Sequence, residues 1–207
     1  MRIGILGTGP LAAGLGSSWS RAGHDIIIGG RDSAKAQALA ARLSARAATI
    51  PAAVAEADAV LLAIAWEGVA DVLRAAGPLT GTVLIDPTNA VGHGKGVLYT
   101  PPGESGAQRI AALAPGAHVV KAFHLFPSDQ WADPASPAVT VVICGDDPHA
   151  LEVTKTLVRD AGAQPAVLGG LDRARQLEET AGFVIGLAFS GVQPREAIPV
   201  IPTEMAS

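Results

Sequence analysis

The stretch GILGTGPLA, residues 4–12, closes an apolar run at the start of the chain and sets Gly7, Gly9 and Ala12 in the spacing G-x-G-x-x-A. The spacing alone is common, and its context decides the reading. It follows the apolar run RIGIL directly and opens a segment whose apolar face passes through Leu11, Leu15 and Trp19. A strand, a tight turn and a helix in that order form a dinucleotide-binding unit. Gly7 permits the turn, Gly9 lets a pyrophosphate approach the main chain, and the small Ala12 lets helix and strand pack closely. Pro10 suits a first helical turn, where its missing N–H costs nothing. The helix start then offers free amides and a positive dipole end to phosphate. A plain strand–turn–helix with no ligand is the alternative.

Outward from this unit, short apolar runs alternate with alanine-rich stretches: RIGILG, HDIIIGG, ADAVLLAIA, GTVLID, AHVVKAF and AVTVVICG. Such alternation predicts parallel strands joined by crossover helices. The runs are continuously apolar, as expected of a sheet covered on both faces. SAKAQALAARLSARA, residues 33–47, predicts a helix with Ala36, Leu39, Ala40 and Leu43 on one face, and WEGVADVLRAAG groups Val69, Val72 and Leu73. The glycine- and proline-rich segment 91–106 reads as a long irregular loop. After CGDD come a helix to about Ala161, a short strand near residues 164–168, an apolar helix over about 172–190, and a proline-spaced tail. The expected fold is α/β, a Rossmann-type doubly wound, mostly parallel sheet with a small C-terminal helical extension. The expected division is a dinucleotide-binding part over 1–145 and a smaller C-terminal part over 146–207.

The run IIIGGRDSAK, residues 26–35, carries the second strand into a cation cluster. NAD-binding units of this kind place an acid about 20 residues after the glycines, where it holds a ribose hydroxyl. Here that place is Gly30 and Arg31; Asp25 falls too early and Asp32 one step late. A guanidinium can grip an extra ribose phosphate or lie over the adenine. Arg31 therefore favours NADP(H), with Ser33 and Lys35 as helpers. In the alternative, Arg31 and Lys35 are solvated and Asp32 takes the ribose of NAD.

The bulk numbers narrow the class of function. A chain of 207 residues with 49% hydrophobic and 16% charged residues and a net charge of -4 has a real core and no electrostatic reason to seek nucleic acid or anionic lipid. Its most apolar later segment, GFVIGLAFSG at 182–191, is about half the roughly 20 residues of a spanning helix and reads as a buried helix. The glycines interrupt the N-terminal apolar run, so no export is implied and a cytoplasmic location is expected. The single cysteine, Cys144, lies in TVVIC and reads as a core thiol. No His, Cys, Asp and Glu spacing forms a metal site.

The combination ILGTGPLA, IIIGGRDSAK, ADAVLLAIAWEGVADVL, VLIDPTNAV, HVVKAFH and LDRARQLEE resembles the NADPH-dependent coenzyme F420 reductase family over nearly the whole chain. IDPTN, VVKAF and ARQLE are its more specific elements. The resemblance implies hydride transfer between NADP(H) and the deazaflavin coenzyme F420. It places Thr8, Pro10 and Leu11 along the pyrophosphate, and Arg31, Ser33 and Lys35 around the ribose phosphate. It also places Ala65, Trp66 and Asn89 toward the nicotinamide. Packing at a helix start is an equal reading for Trp66, and turn formation for Asn89.

His124 stands where many relatives have asparagine, and it is the candidate catalytic residue; filling a polar niche is its other reading. Transfer between two flat rings needs proximity and exclusion of water more than an acid. An imine or carbonyl acceptor would also need a proton, for which His124, Tyr99, Lys121 and Asp129 are local candidates. Lys121 reads equally as an ion-pair residue. His24, His118 and His149 read as surface residues, and His93 shares the loop of Tyr99. The apolar last helix fits a cleft wall, a homodimer surface or a core. A non-catalytic NADP(H)-sensing protein is the alternative class, because fold alone does not fix activity.

Overall fold

In a computed structural model of the protein, residues 1–92 and 94–199 are described; His93 and the end of the tail lie outside them. The chain alternates as β1 (Arg2–Leu6), α1 (Pro10–Arg21), β2 (Asp25–Gly29), α2 (Ser33–Leu43), β3 (Arg46–Ala48), α3 (Ile50–Val54), β4 (Ala59–Leu62) and α4 (Val69–Ala76). It continues as β5 (Val83–Asp86), α5 (Gly106–Leu113), β6 (His118–Lys121), α6 (Asp129–Ala132), β7 (Thr140–Gly145), α7 (Pro148–Asp160), β8 (Gln164–Gly169) and α8 (Ala174–Phe189). The strands form one sheet in the order β3-β2-β1-β4-β5-β6-β7-β8. Its pairs are parallel except β6 with β7, where Val120 faces Gly145 and Lys121 faces Cys144. This is the doubly wound, mostly parallel architecture expected from the alternation.

Both faces are buried, which explains why the strands show no polar alternation. Ile3, Ile5, Ile26, Ile28 and Leu61 point to one layer, where Leu15 and Trp19 of α1, Leu39 of α2 and Leu157 of α7 meet them. Ile27, Val60, Leu62 and Leu84 point to the other, against Ala53 of α3, Leu73 of α4, Ile110 of α5 and Leu177 of α8. Burial of each such aliphatic side chain contributes about 1.5–3 kcal/mol. The predicted helix faces are the buried ones: Ala36, Leu39, Ala40 and Leu43 on α2, and Val69, Val72 and Leu73 on α4. Cys144 is fully buried, and loss of solvation pushes its thiol up to about 11.

Two expectations are corrected. The helix expected over 33–47 stops at Leu43, because Ser44 takes a left-handed φ of 53° and its N–H donates to the Ala40 carbonyl. The chain then turns into β3, which pairs with β2 at the sheet edge. Strand pairing outweighs the helix propensity of the alanines. The segment 182–191 is helical to Phe189 but not buried, with Phe183 50% and Phe189 61% exposed. Among the described residues, no helix is long and apolar enough to cross a membrane.

Candidate active site

The strand order reverses at β1, whose neighbours are β2 and β4, so a crevice opens beyond their carboxyl ends. Gly7 lies at its floor with φ +132°, and a Cβ there would meet the Ala63 carbonyl oxygen at 2.0 Å. No other residue fits. Its N–H donates to the Gly29 carbonyl at 2.9 Å and so ties the loop to the end of β2. Gly9 differs, since a Cβ there would meet no protein atom within 4 Å. The protein's own packing does not demand glycine at this position. The open space is the approach that a phosphate group needs. Pro10 begins α1, no side chain caps the helix and its first turn holds no acid, which leaves first-turn amides available to an anion.

A groove of about 480 Å³ runs from this loop to the end of β2, lined by Gly7, Thr8, Gly9, Gly30, Arg31, Lys35 and Ala65. Arg31 is exposed, and its guanidinium has no hydrogen bond or ion pair with another described residue. Asp32 borders the same groove, but one of its carboxylate oxygens is engaged. Its carboxylate accepts from the Lys35 N–H at 3.1 Å as the N-cap of α2, and Lys35 Nζ lies 3.8 Å away. Gly30, Arg31 and Ser33 also border a second hollow toward β3. Thr8, Gly9 and Pro10 border another beside α1. The side chain of Leu11 packs against the core, so its part would fall to the main chain. The residues fit a dinucleotide with an extra ribose phosphate.

The remaining candidates gather at the ends of β5 and β6. Trp66 turns from the groove and packs against the core, its ring 3.2 Å from where a Cβ on Gly106 would stand. Asn89 donates from Nδ2 to the His124 carbonyl at 2.7 Å, while its buried Oδ1 has no partner. His124 lines an apolar hollow of about 240 Å³ with Phe126, Val142, Leu177 and Thr180. Phe123 before it has a left-handed φ of 59°, held by edge contacts of its ring with Trp19 and Trp131. Both imidazole nitrogens are buried without a hydrogen-bond partner. Burial first, then the Lys121 ammonium, lowers the imidazole from 6.5 to about 3, opposed weakly by the Leu177 backbone. His124 is therefore neutral near pH 7.

Sequence reasoning allowed Lys121 as an ion-pair residue, which it is, but missed its partners and with them the group that organises this end. Asp86, Lys121 and Glu178 are all fully buried. Lys121 Nζ lies 3.0 Å from Asp86 Oδ2 and 3.0 Å from Glu178 Oε1, and it also donates to the Thr88 carbonyl. Asp86 accepts from the N–H and hydroxyl of Thr88, at 2.8 and 2.7 Å. Glu178 accepts from the Gly106 and Ala107 N–H groups at 2.7 and 3.0 Å, at the start of α5. The helix amides offset the excess negative charge of two carboxylates around one ammonium. IDPTN, VVKAF and ARQLE thus meet in one buried network. The signal was present as an acid and a lysine ending otherwise apolar strands, and β5 and β6 pair those two residues directly.

Other candidates are apart from this group. Tyr99 is 56% exposed on the loop, and Asp129 borders the hollow beside α1. His24 is not a free surface residue, because its Nε2 lies 2.8 Å from Asp160 Oδ2 and only 9% of its side chain is exposed. No cluster of three His, Cys, Asp or Glu able to hold a metal occurs among the described residues.

Fold and groove together define an NADP-dependent oxidoreductase of the Rossmann class. Residues 2–90 match the family model described as NADP oxidoreductase coenzyme F420-dependent. The F420-dependent NADP reductase of Methanothermobacter thermautotrophicus is 30% identical over 209 residues, covering 90% of this chain and 89% of that protein. The chain belongs to the F420-dependent NADP reductase family. It is also 28% identical to the metalloreductase STEAP3 of Rattus norvegicus over 180 residues, 86% of this chain but only 36% of that protein. The crystal structure of a protein from Arthrobacter sp. FB24 described as an F420-dependent NADP-reductase superposes with a TM-score of 0.81 at 24% identity, over 94% of this chain and 96% of that one. That likeness shows the shared fold.

Proposed function

We propose that the protein transfers a hydride between NADP(H) and the deazaflavin coenzyme F420. The observation that carries the nucleotide choice is at the end of β2, where Asp32 caps α2 and leaves the unpartnered Arg31 on the groove. In this reading the main-chain amides of Thr8, Gly9 and Leu11 hold the pyrophosphate, while Gly7 shapes the turn and Pro10, which has no N–H, sets the first turn of α1. Gly30, Arg31, Ser33 and Lys35 receive the ribose phosphate, and Ala65 and Asn89 bound the nicotinamide side, with Trp66 packed against the core at Gly106. The nicotinamide supplies the hydride, a proton with its electron pair, and the deazaflavin takes it up.

His124 meets the acceptor as a neutral imidazole that can donate one hydrogen bond and accept another. It keeps the ring in place rather than supplying a proton, which suits a transfer between flat rings better than reduction of an imine. Residues 1–145 form the NADP-binding part, and 146–207 contribute the wall over His124 through Leu177 and Thr180. The exposed Phe183 of α8 supports a homodimer, and the cytoplasm is the proposed compartment.

The test is anaerobic mixing of the protein with NADPH and oxidised F420 while both absorbance bands are followed. Coupled loss of the two bands is expected. NADPH binding without transfer would remove the reading and favour another acceptor or a sensor.

A further inference from the structure

One stripe of α8 carries the loop between β5 and α5 along its length. Arg175 Nη1 donates to the carbonyls of Pro101 and Glu104, the latter at 2.7 Å. A turn later Glu178 takes the amides of Gly106 and Ala107. A further turn on, Gly182 touches the loop backbone. A Cβ on Gly182 would meet the Gly96 carbonyl oxygen at 2.3 Å, and one on Gly96, with φ +66°, would meet the Gly182 carbonyl oxygen at 2.0 Å. Positions three and four residues apart share a helix face, so Arg175, Glu178 and Gly182 act on the same segment. The loop has its own ladder: the Gly92 N–H donates to the Val97 carbonyl and the Tyr99 N–H to the Ala90 carbonyl, each at 2.7 Å. It begins beside Asn89, whose side chain holds the His124 carbonyl.

We propose that Glu178 and Gly182 are positioning residues for the acceptor, acting through the loop over 90–105 on Asn89 and, through it, on His124. The proposal rests on the reductase reading above. The nucleotide groove draws on β1, β2, β4 and the segments after them and uses no residue of α8. Displacement of the loop therefore acts on the acceptor half of the site and on the nicotinamide side at Asn89, and spares the groove for the pyrophosphate and ribose phosphate. Glu178 fixes the far end of the loop to α5 and Lys121, and Gly182 sets its height above the helix.

The experiment compares wild type with Gly182→Ala and Glu178→Gln. It measures NADPH affinity, acceptor kcat and KM with oxidised F420, and amide hydrogen exchange over 90–107. Gly182→Ala is expected to speed exchange in that segment and to lower acceptor kcat/KM by roughly 10- to 100-fold, with a much smaller loss of NADPH affinity. Arg175→Met, nearer the surface, serves where Gly182→Ala does not fold. A loosened loop with unchanged acceptor kcat/KM overturns the proposal, and so does an equal loss of NADPH affinity. Wild type that binds NADPH without turnover removes the reductase reading itself. Exchange over 90–107 unchanged in every variant would separately show that α8 does not hold the loop.

Discussion

In the proposed reading, Arg31 is the residue on which nucleotide choice turns. It is exposed, borders the groove, and has no partner among the described residues, so its removal disturbs no packing. Arg31→Ala should weaken NADPH by about 1.5–3 kcal/mol, the value of a hydrogen bond to a charged group, and leave NADH nearly unchanged. Equal losses for both nucleotides, measured by titration, would dismiss the assignment. His124 gives a second prediction at this scale. Its imidazole titrates near 3 in the folded protein against the ordinary 6.5, so between those values the unfolded chain binds more protons. Stability therefore falls as pH drops below about 6.5, by up to about 1.4 kcal/mol per pH unit. His124→Leu should flatten this limb of a denaturation series, and identical slopes in the two proteins would contradict the buried neutral state. The tight turn at Gly7 was legible because glycine spacing reports backbone geometry. The state of His124 was not, because it depends first on burial under Leu177 and Thr180 of α8, distant in the chain.

At the scale of elements, the end of β2 and the start of α2 divide the labour between two adjacent charges. Asp32 accepts from the Lys35 N–H as an N-cap, which is worth about 1 kcal/mol of stability. Asp32→Ala should cost about that much in urea denaturation without weakening NADPH, since it removes a negative charge beside the phosphate position. A large loss of NADH binding in the same variant would return Asp32 to the ribose. The elements that sequence reading found were helices long enough to show a period, such as α2 with four buried positions on one face, and strands that form continuous apolar runs. β3 has 3 residues and α3 has 5, too few for either period to register. α5 is set by its capping box, in which Ser105 and Gln108 exchange side-chain bonds, and by Glu178 from the other end of the chain. The buried network was hidden for a related reason: each motif shows one member, and only the fold brings Asp86, Lys121 and Glu178 together.

At the scale of the molecule, one sheet runs through residues 1–145 and on into the C-terminal part. β7 and β8 extend that sheet past the antiparallel step at β6. Trp19 of α1 donates from its indole N–H to the Leu157 carbonyl of α7 at 2.8 Å, which joins the first helix to the last third of the chain. Glu178 joins α8 to β5, β6 and α5 through groups with no solvent exposure. Breaking such a buried charge set costs about 3–5 kcal/mol, so unfolding residues 146–207 alone would carry that penalty in addition to the exposed apolar surface. The two parts should therefore unfold together. Calorimetry is expected to give a single transition whose calorimetric and van't Hoff enthalpies agree. Two separable transitions, with the earlier one lost on truncation near residue 145, would instead make the C-terminal part an independent unit. In that case closure over His124 would be a hinge motion rather than a fixed wall.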